Sequence, residues 1–236
     1  MGDAFGRALL DHYRGERETP LRQRDGDDVL THPVGDFYFG AFADEPGSDW
    51  VESQVEGPVL DAGAGAGRDA LHFQRDRETV AIDVSEHLVT LLDERGVDDA
   101  RAVDMFALPG AFDADRFGTG LVLGTQVGLA KSRAGLASFL ADLRTVVAPG
   151  GRVVLDCYDP TYEGASEMLG FRADPTPGLA YRTMHYEYGD VVGRTLLFRL
   201  FSPDRLREAA ADADWEVTDV QRPHGAYYYR AALARE

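Results

Sequence analysis

Short apolar runs alternate with stretches of helical spacing along most of this chain, and that alternation predicts its elements. Strands are expected at Val59-Leu60, Thr79–Ile82, Ala100–Val103, Leu121–Leu123 and Arg152–Leu155. Between them fall helices at Asp69–Arg75, Glu86–Glu94 and Arg133–Val147. Ser85 is placed to cap the second and Gly96 to end it. The third carries Leu136, Phe139, Leu140, Leu143, Val146 and Val147 on one face, and Pro149-Gly150-Gly151 stops it. Strands alternating with helices predict an α/β fold built on a parallel sheet.

The end of the chain breaks the alternation. Leu179–Tyr188 and Val192–Phe201, joined by Gly189-Asp190, predict a β-hairpin inserted before a helix at Asp204–Ala211. That helix starts at Ser202-Pro203-Asp204, a capped start with proline in the first turn. Trp215–Val220 and Tyr227–Leu233 are separated only by a turn containing Pro223-His224-Gly225. They must pair as a second hairpin, so the last strand runs antiparallel to the rest. Before residue 57, helices are expected at Phe5–Tyr13 and Trp50–Gln54, and Gly15–Asp28 reads as a solvated connector. Phe37-Tyr38-Phe39-Gly40-Ala41-Phe42 is an aromatic cluster that either packs this segment down or closes it over a site.

The chemistry concentrates at Val59-Leu60-Asp61-Ala62-Gly63-Ala64-Gly65-Ala66-Gly67-Arg68, a strand, a glycine-rich turn and a helix start. Glycines let the backbone turn tightly and approach a ligand, and the helix start offers unpaired N–H groups. The spacing is G-x-G-x-G, with Arg68 where a dinucleotide fingerprint needs its third glycine. Asp83 ends the next strand, about 20 residues after Gly63, where an acidic group accepts both hydroxyls of a ribose.

On these residues the chain resembles the class I S-adenosylmethionine-dependent methyltransferases, in particular the small stand-alone kind. The matching segments are the glycine motif, Ala81-Ile82-Asp83-Val84-Ser85, Ala102-Val103-Asp104-Met105 and Ala148-Pro149-Gly150-Gly151. The resemblance implies a doubly wound, Rossmann-like sheet of seven strands, mostly parallel with an antiparallel last strand. To this are added the inserted hairpin at 179–201 and an N-terminal helical segment at 1–56, a lid for the domain at 57–236. It implies S-adenosyl-L-methionine as cofactor, held by Asp61, Gly63, Gly65 and Gly67, by Asp83 and Val84 at the ribose, and by Asp104 and Met105 at the adenine. Gly124 and Thr125 are expected to offer backbone groups to its amino-acid end, with Gln126 facing the substrate. Gln126, Tyr158 and His185 are the candidates for catalysis. Gln126 also has a plainer reading as a structural amide, and His185 as a surface or packing residue. The methyl acceptor is expected to be a small molecule. Two alternatives stand beside this reading: a non-catalytic nucleotide-binding protein, and a nicotinamide-dependent oxidoreductase, which Arg68 and the terminal hairpin disfavour.

Composition changes the picture in one respect. The formal net charge is −17, and Lys131 is the only lysine. Such an acidic surface implies a salt-loving source and argues against a nucleic-acid partner, because no basic stripe is present to neutralise phosphates. Cys157 is the single cysteine, so an internal disulfide is excluded and no metal centre is expected. No basic leader precedes an apolar run, and no run approaches the ~18 residues that span a bilayer, so a soluble cytoplasmic protein is expected. The inserted aromatics and His185 are candidates for the substrate pocket or for a homodimer contact.

Overall fold

The computed structural model describes residues 2–223 and 227–235. In chain order the first elements are α1 (Ala4–Arg14), β1 (Arg22–Asp25), β2 (Asp28–Thr31), α2 (Val34–Tyr38) and α3 (Ser48–Gln54). Then come β3 (Val59–Ala62), α4 (Arg68–Phe73), β4 (Thr79–Asp83), α5 (Glu86–Arg95), β5 (Ala100–Ala102) and α6 (Leu108–Ala111). The centre of the fold is β6 (Phe117–Val122), α7 (Arg133–Val146) and β7 (Val147–Tyr158). The remainder is β8 (Phe171–Ala173), β9 (Leu179–Tyr188), β10 (Val191–Val192), β11 (Leu196–Phe201), α8 (Pro203–Ala211), β12 (Glu216–Gln221) and β13 (Tyr228–Ala234).

Seven strands form the main sheet in the order β12-β13-β7-β6-β3-β4-β5. The β7-β6, β6-β3, β3-β4 and β4-β5 pairs are parallel, while β13 is antiparallel to both of its neighbours. Alternate residues of each strand feed opposite cores. Leu60, Val80, Ile82, Val153 and Leu155 pack under α7 and α8, while Val59, Ala81, Leu121 and Val154 pack under α3, α4 and α5. The predicted stripe on α7 is buried at Leu136, Phe139, Leu140, Leu143 and Val146. At roughly 1.5–3 kcal/mol per buried large side chain, this face outweighs the ~1 kcal/mol contributed by its Ser132 cap. Val147 is also buried but belongs to β7, which runs for 12 residues through Pro149-Gly150-Gly151 and past the predicted limits.

The N-terminal connector is where the prediction departs most from the structure. Gly15–Asp28 is polar enough to read as solvated, yet β1 lies within it and buries Gln23, with Leu21 just before it. The reason is a partner distant in sequence: β1 pairs antiparallel with β9, placing Gln23 opposite Tyr186 and Arg24 opposite His185. Strands β1 and β2 thus join the predicted hairpin insertion, β9 with β10 and β11, and β8 in a second sheet of six strands. Helix α1 packs Ala8, Leu9 and Leu10 against Leu88 and Leu91 of α5 and Tyr188 of β9. The sequence boundary near residue 56 therefore divides two segments that the second sheet unites. The turn residues His224 and Gly225 lie outside the described residues.

Candidate functional site

A cavity of about 1600 Å³ lies between the second sheet and the carboxyl ends of the parallel strands. Small-molecule pockets are typically about 300–1,000 Å³, so two ligands fit side by side here. We call the main-sheet wall the floor and the second-sheet wall the roof.

The floor starts at the glycine turn. Gly63 and Gly65 line the cavity with φ of 78° and 58°, in the left-handed region that a side chain disfavours. The N–H groups of Gly63 and Ala64 donate to the Ile82 carbonyl at 2.9 and 3.0 Å, tying the turn to β4. Asp83, at the end of β4, accepts from Gly65 N at 3.3 Å through Oδ2 and from Ser85 N at 3.0 Å through Oδ1. Burial outweighs these bonds and raises its carboxyl to about 6. Each oxygen keeps a lone pair for a further donor. Val84, beside it, is exposed at the cavity wall. Gln126 lies against Gly63: a Cβ on that glycine would come 3.0 Å from the Gln126 side chain.

Gly67 serves a different purpose. It does not line the cavity, and a Cβ there would meet Leu92 of α5 at 2.5 Å and Val97 at 3.2 Å. Its φ of 79° and its place before α4 make it the point where helix and turn pack closely. Asp61 stands behind the turn rather than on the wall. Its buried Oδ2 has no hydrogen-bond partner, and burial and then the neighbouring Asp69 hold its carboxyl well above the usual range. Gly124 and Thr125 do line the cavity, but their N–H groups donate to Asp156, at 2.9 Å for Gly124. The Thr125 carbonyl accepts from Gly128 N at 3.0 Å, so the Gly124 carbonyl is the backbone group this loop retains for a ligand. Tyr228 also donates to Asp156, so this buried carboxylate is a fastener for the loop after β6. Thr125 itself adopts φ 61°, a strained conformation that this fastening holds in place.

Asp104 and Met105 are placed away from the cavity wall. The Asp104 side chain accepts from Phe106 N at 3.0 Å and caps a short helical turn, and Met105 is buried in the core under α7.

The roof is a hydrogen-bonded polar group set among rings. Arg182 of β9 donates from Nη2 to Gln23 Oε1 at 2.7 Å and from Nε to the Leu169 carbonyl at 3.0 Å. Arginine only donates, so Gln23 must turn its amide nitrogen toward His32 Nδ1, 3.0 Å away. His32 then carries its proton on Nε2 and donates to Tyr38 Oη at 2.8 Å. Burial, and then the charge of Arg182, lower His32 to about 4, so it is neutral. The Gln23 amide also reaches Tyr186 Oη at 3.3 Å. Tyr158 lines the same cavity, with burial pushing its phenol up to about 12.

One candidate requires correction. His185 alternates with Met184 and Tyr186, which line the cavity, and so points to the other face of β9. There it meets Glu187 at 3.3 Å, beside the Arg24–Glu187 ion pair. Cys157 is buried with its thiol raised to about 12 by burial, which makes it a packing residue and not a nucleophile. The aromatic cluster divides: Phe37 and Tyr38 line the cavity, while Phe42 stacks on His72 at 4.0 Å and Phe39 packs on His12 at 4.8 Å. Arg68 bonds Glu45 and the Phe37 carbonyl, holding this segment to α4.

Sequence reading passed over Asp156, Gln23, His32 and Arg182, and covered Tyr186 only as one of the inserted aromatics. For Arg182 and Tyr186 a signal existed: with Ala180 and Met184 they occupy alternate positions of a predicted strand. Gln23 and His32 carried none, because their places depend on the β1–β9 pairing.

The strand order, antiparallel β13 and a glycine turn facing a strand-terminal acid define the class I methyltransferase fold. No family profile matches the sequence, and no curated protein matches it either. Among solved structures, the chain is similar to a SAM-dependent methyltransferase from Bacteroides fragilis, crystallised with S-adenosyl-L-homocysteine. The two share 24% identity over 99% of this chain and 95% of that one, with a TM-score of 0.81. The CcbJ methyltransferase from Streptomyces caelestis aligns at 16% identity over 84% of this chain and 99% of its own, with a TM-score of 0.62. A third is the 1,6-didemethyltoxoflavin-N1-methyltransferase from Burkholderia thailandensis, at 21% identity over 75% of this chain and 70% of that one, with a TM-score of 0.52. The first of these likenesses runs over nearly the whole chain.

Proposed function

We propose that this protein transfers a methyl group from S-adenosylmethionine to a small molecule bound in the same cavity. The observation that carries the reading is Asp83, half-buried on the cavity floor with lone pairs free on both oxygens, beside the open glycine turn at Gly63 and Gly65. That pairing suits a nucleoside: hydroxyls donate to the carboxylate, and the rest of the ligand passes over backbone that no Cβ obstructs. Bound there, the cofactor supplies an activated methyl group on a sulfonium, and the protein's part is to align the acceptor with it. Gln126, against Gly63, and Tyr158 are the neutral groups available for positioning.

The solved neighbours support the same reading. The Bacteroides fragilis and Burkholderia thailandensis proteins contain S-adenosylhomocysteine, and the latter also holds the small molecule 1,6-didemethyltoxoflavin.

Calorimetric titration with S-adenosylhomocysteine, with NADH as control, tests the assignment. Micromolar binding of the former is expected, weakened by at least about 100-fold in Asp83→Ala, because two charge-assisted hydrogen bonds are lost at about 1.5–3 kcal/mol each. Binding of NADH alone would overturn the proposal.

A further inference from the structure

The roof holds an arginine without a counter-ion. Arg182 lines the cavity, half-buried, and its two protein acceptors are a neutral amide and a backbone carbonyl. Among the described residues no carboxylate pairs with it, and its Nη1 has no protein acceptor while not being one of the buried unpartnered atoms. Among the other arginines at or near the cavity, Arg68 pairs with Glu45 and Asp69, Arg199 with Asp174, and Arg230 lies near Glu45, while the exposed Arg194, which also lines the cavity, forms no ion pair among the described residues. A guanidinium stays ionised at any working pH, and leaving one desolvated without an anion is costly. Tyr38, Tyr158, Tyr186 and His32 all sit within its field, and Glu167 lines the same cavity without bonding it.

The same roof lacks a free base. His32 accepts from Gln23 on Nδ1 and donates from Nε2, so neither nitrogen is available to take a proton from an acceptor. Asp156, below it, is occupied by three donors. An acceptor that arrives already ionised needs no base.

We propose that Arg182 is the recognition group for an anionic oxygen, carboxylate or phenolate, on a flat aromatic acceptor that lies against Tyr158 and Tyr186. The substrate class rests on the methyltransferase reading above; the anion site itself does not. Gln23 is a positioning residue in it. Its Oε1 fixes the guanidinium, and because it is an amide and not an acid it leaves the charge unspent.

Ligand-observed NMR titrations of the full chain, with and without S-adenosylhomocysteine, test the site. The probes are benzoate and salicylate, with benzamide and benzylamine as neutral and cationic counterparts. The acids are expected to bind at least tenfold tighter than benzamide, with the preference abolished in Arg182→Met. Gln23→Glu keeps the size of the side chain while placing a carboxylate on the guanidinium, and it too is expected to abolish the preference. That second variant decides the matter if Arg182→Met fails to fold, folding being checked by thermal unfolding. Equal binding of benzoate and benzamide, or a preference that survives in both variants, overturns the proposal. An acid preference without S-adenosylhomocysteine binding would sink the methyltransferase reading and leave the anion site standing. S-adenosylhomocysteine binding without acid preference would do the reverse.

Discussion

The two walls of the cavity are built in opposite ways. The floor is acidic, made of backbone and short side chains, and its central parts, Gly63, Gly65 and Asp83, lie in successive strand–turn units of β3 and β4. The roof is cationic and aromatic, made of long side chains, and joins residues as distant as Gln23 and Arg182, 159 positions apart. A carboxylate on the floor is held by N–H groups of a turn that the local sequence dictates. An arginine in the roof is held by an amide that reaches it only because β1 pairs with β9. On the proposed function, the floor holds the cofactor and the roof selects the acceptor.

The largest effect that would break this contrast is one on stability from the floor. Gly67→Ala forces φ 79° on a side chain and drives its Cβ to 2.5 Å from Leu92. A loss of about 2–3 kcal/mol in urea unfolding is expected, from left-handed strain and overpacking together. A loss below about 0.5 kcal/mol would mean that α4 and α5 are not packed as described.

A smaller effect concerns pH. The carboxyl of Asp83 titrates near 6 in the fold, above its ordinary 3.8, so the folded state favours its protonated form. The contribution of this group to stability is therefore fullest at low pH and is lost as pH rises from about 4 through 6. Ligand binding follows the opposite sense, because hydroxyls donate best to the ionised carboxylate. The affinity for S-adenosylhomocysteine is expected to be about tenfold weaker at pH 5 than at pH 7, and flat in Asp83→Asn. A pH-independent affinity in the native protein would place the ribose elsewhere.

The smallest expected effect is at His185, which lies on the far side of β9. His185→Gln is expected to leave the binding of both S-adenosylhomocysteine and benzoate within twofold, since it touches Glu187 and not the cavity. A larger change in the same titrations would put this residue back among the site candidates.

The legible share of the site follows the same division. Asp83 and the turn at Gly63 and Gly65 were readable because glycine spacing and a strand-terminal acid are local patterns with a direct backbone consequence. Gly67 shared that pattern but serves helix packing, which spacing does not distinguish from ligand approach. The readings of Gly124 and Thr125 did not anticipate that Asp156, some 30 residues on, takes their N–H groups. His185 was offered as a candidate because a histidine in an inserted strand was visible, while the face it occupies was not.

By itself, the sequence determined the order of strands and helices, the helix caps at Ser85 and Ser202, the two hairpins and the glycine turn. All of these follow from short-range forces: apolar periodicity, the conformational freedom of glycine, and side chains that bond their own backbone a few residues away. Tertiary structure alone decided that a polar N-terminal stretch becomes a strand, that Gln23 meets Arg182, and that a cation is left facing the cavity. Those outcomes depend on pairing between segments more than 150 residues apart, where β9 supplies the ladder that β1 cannot make alone and burial sets which charges go unpaired.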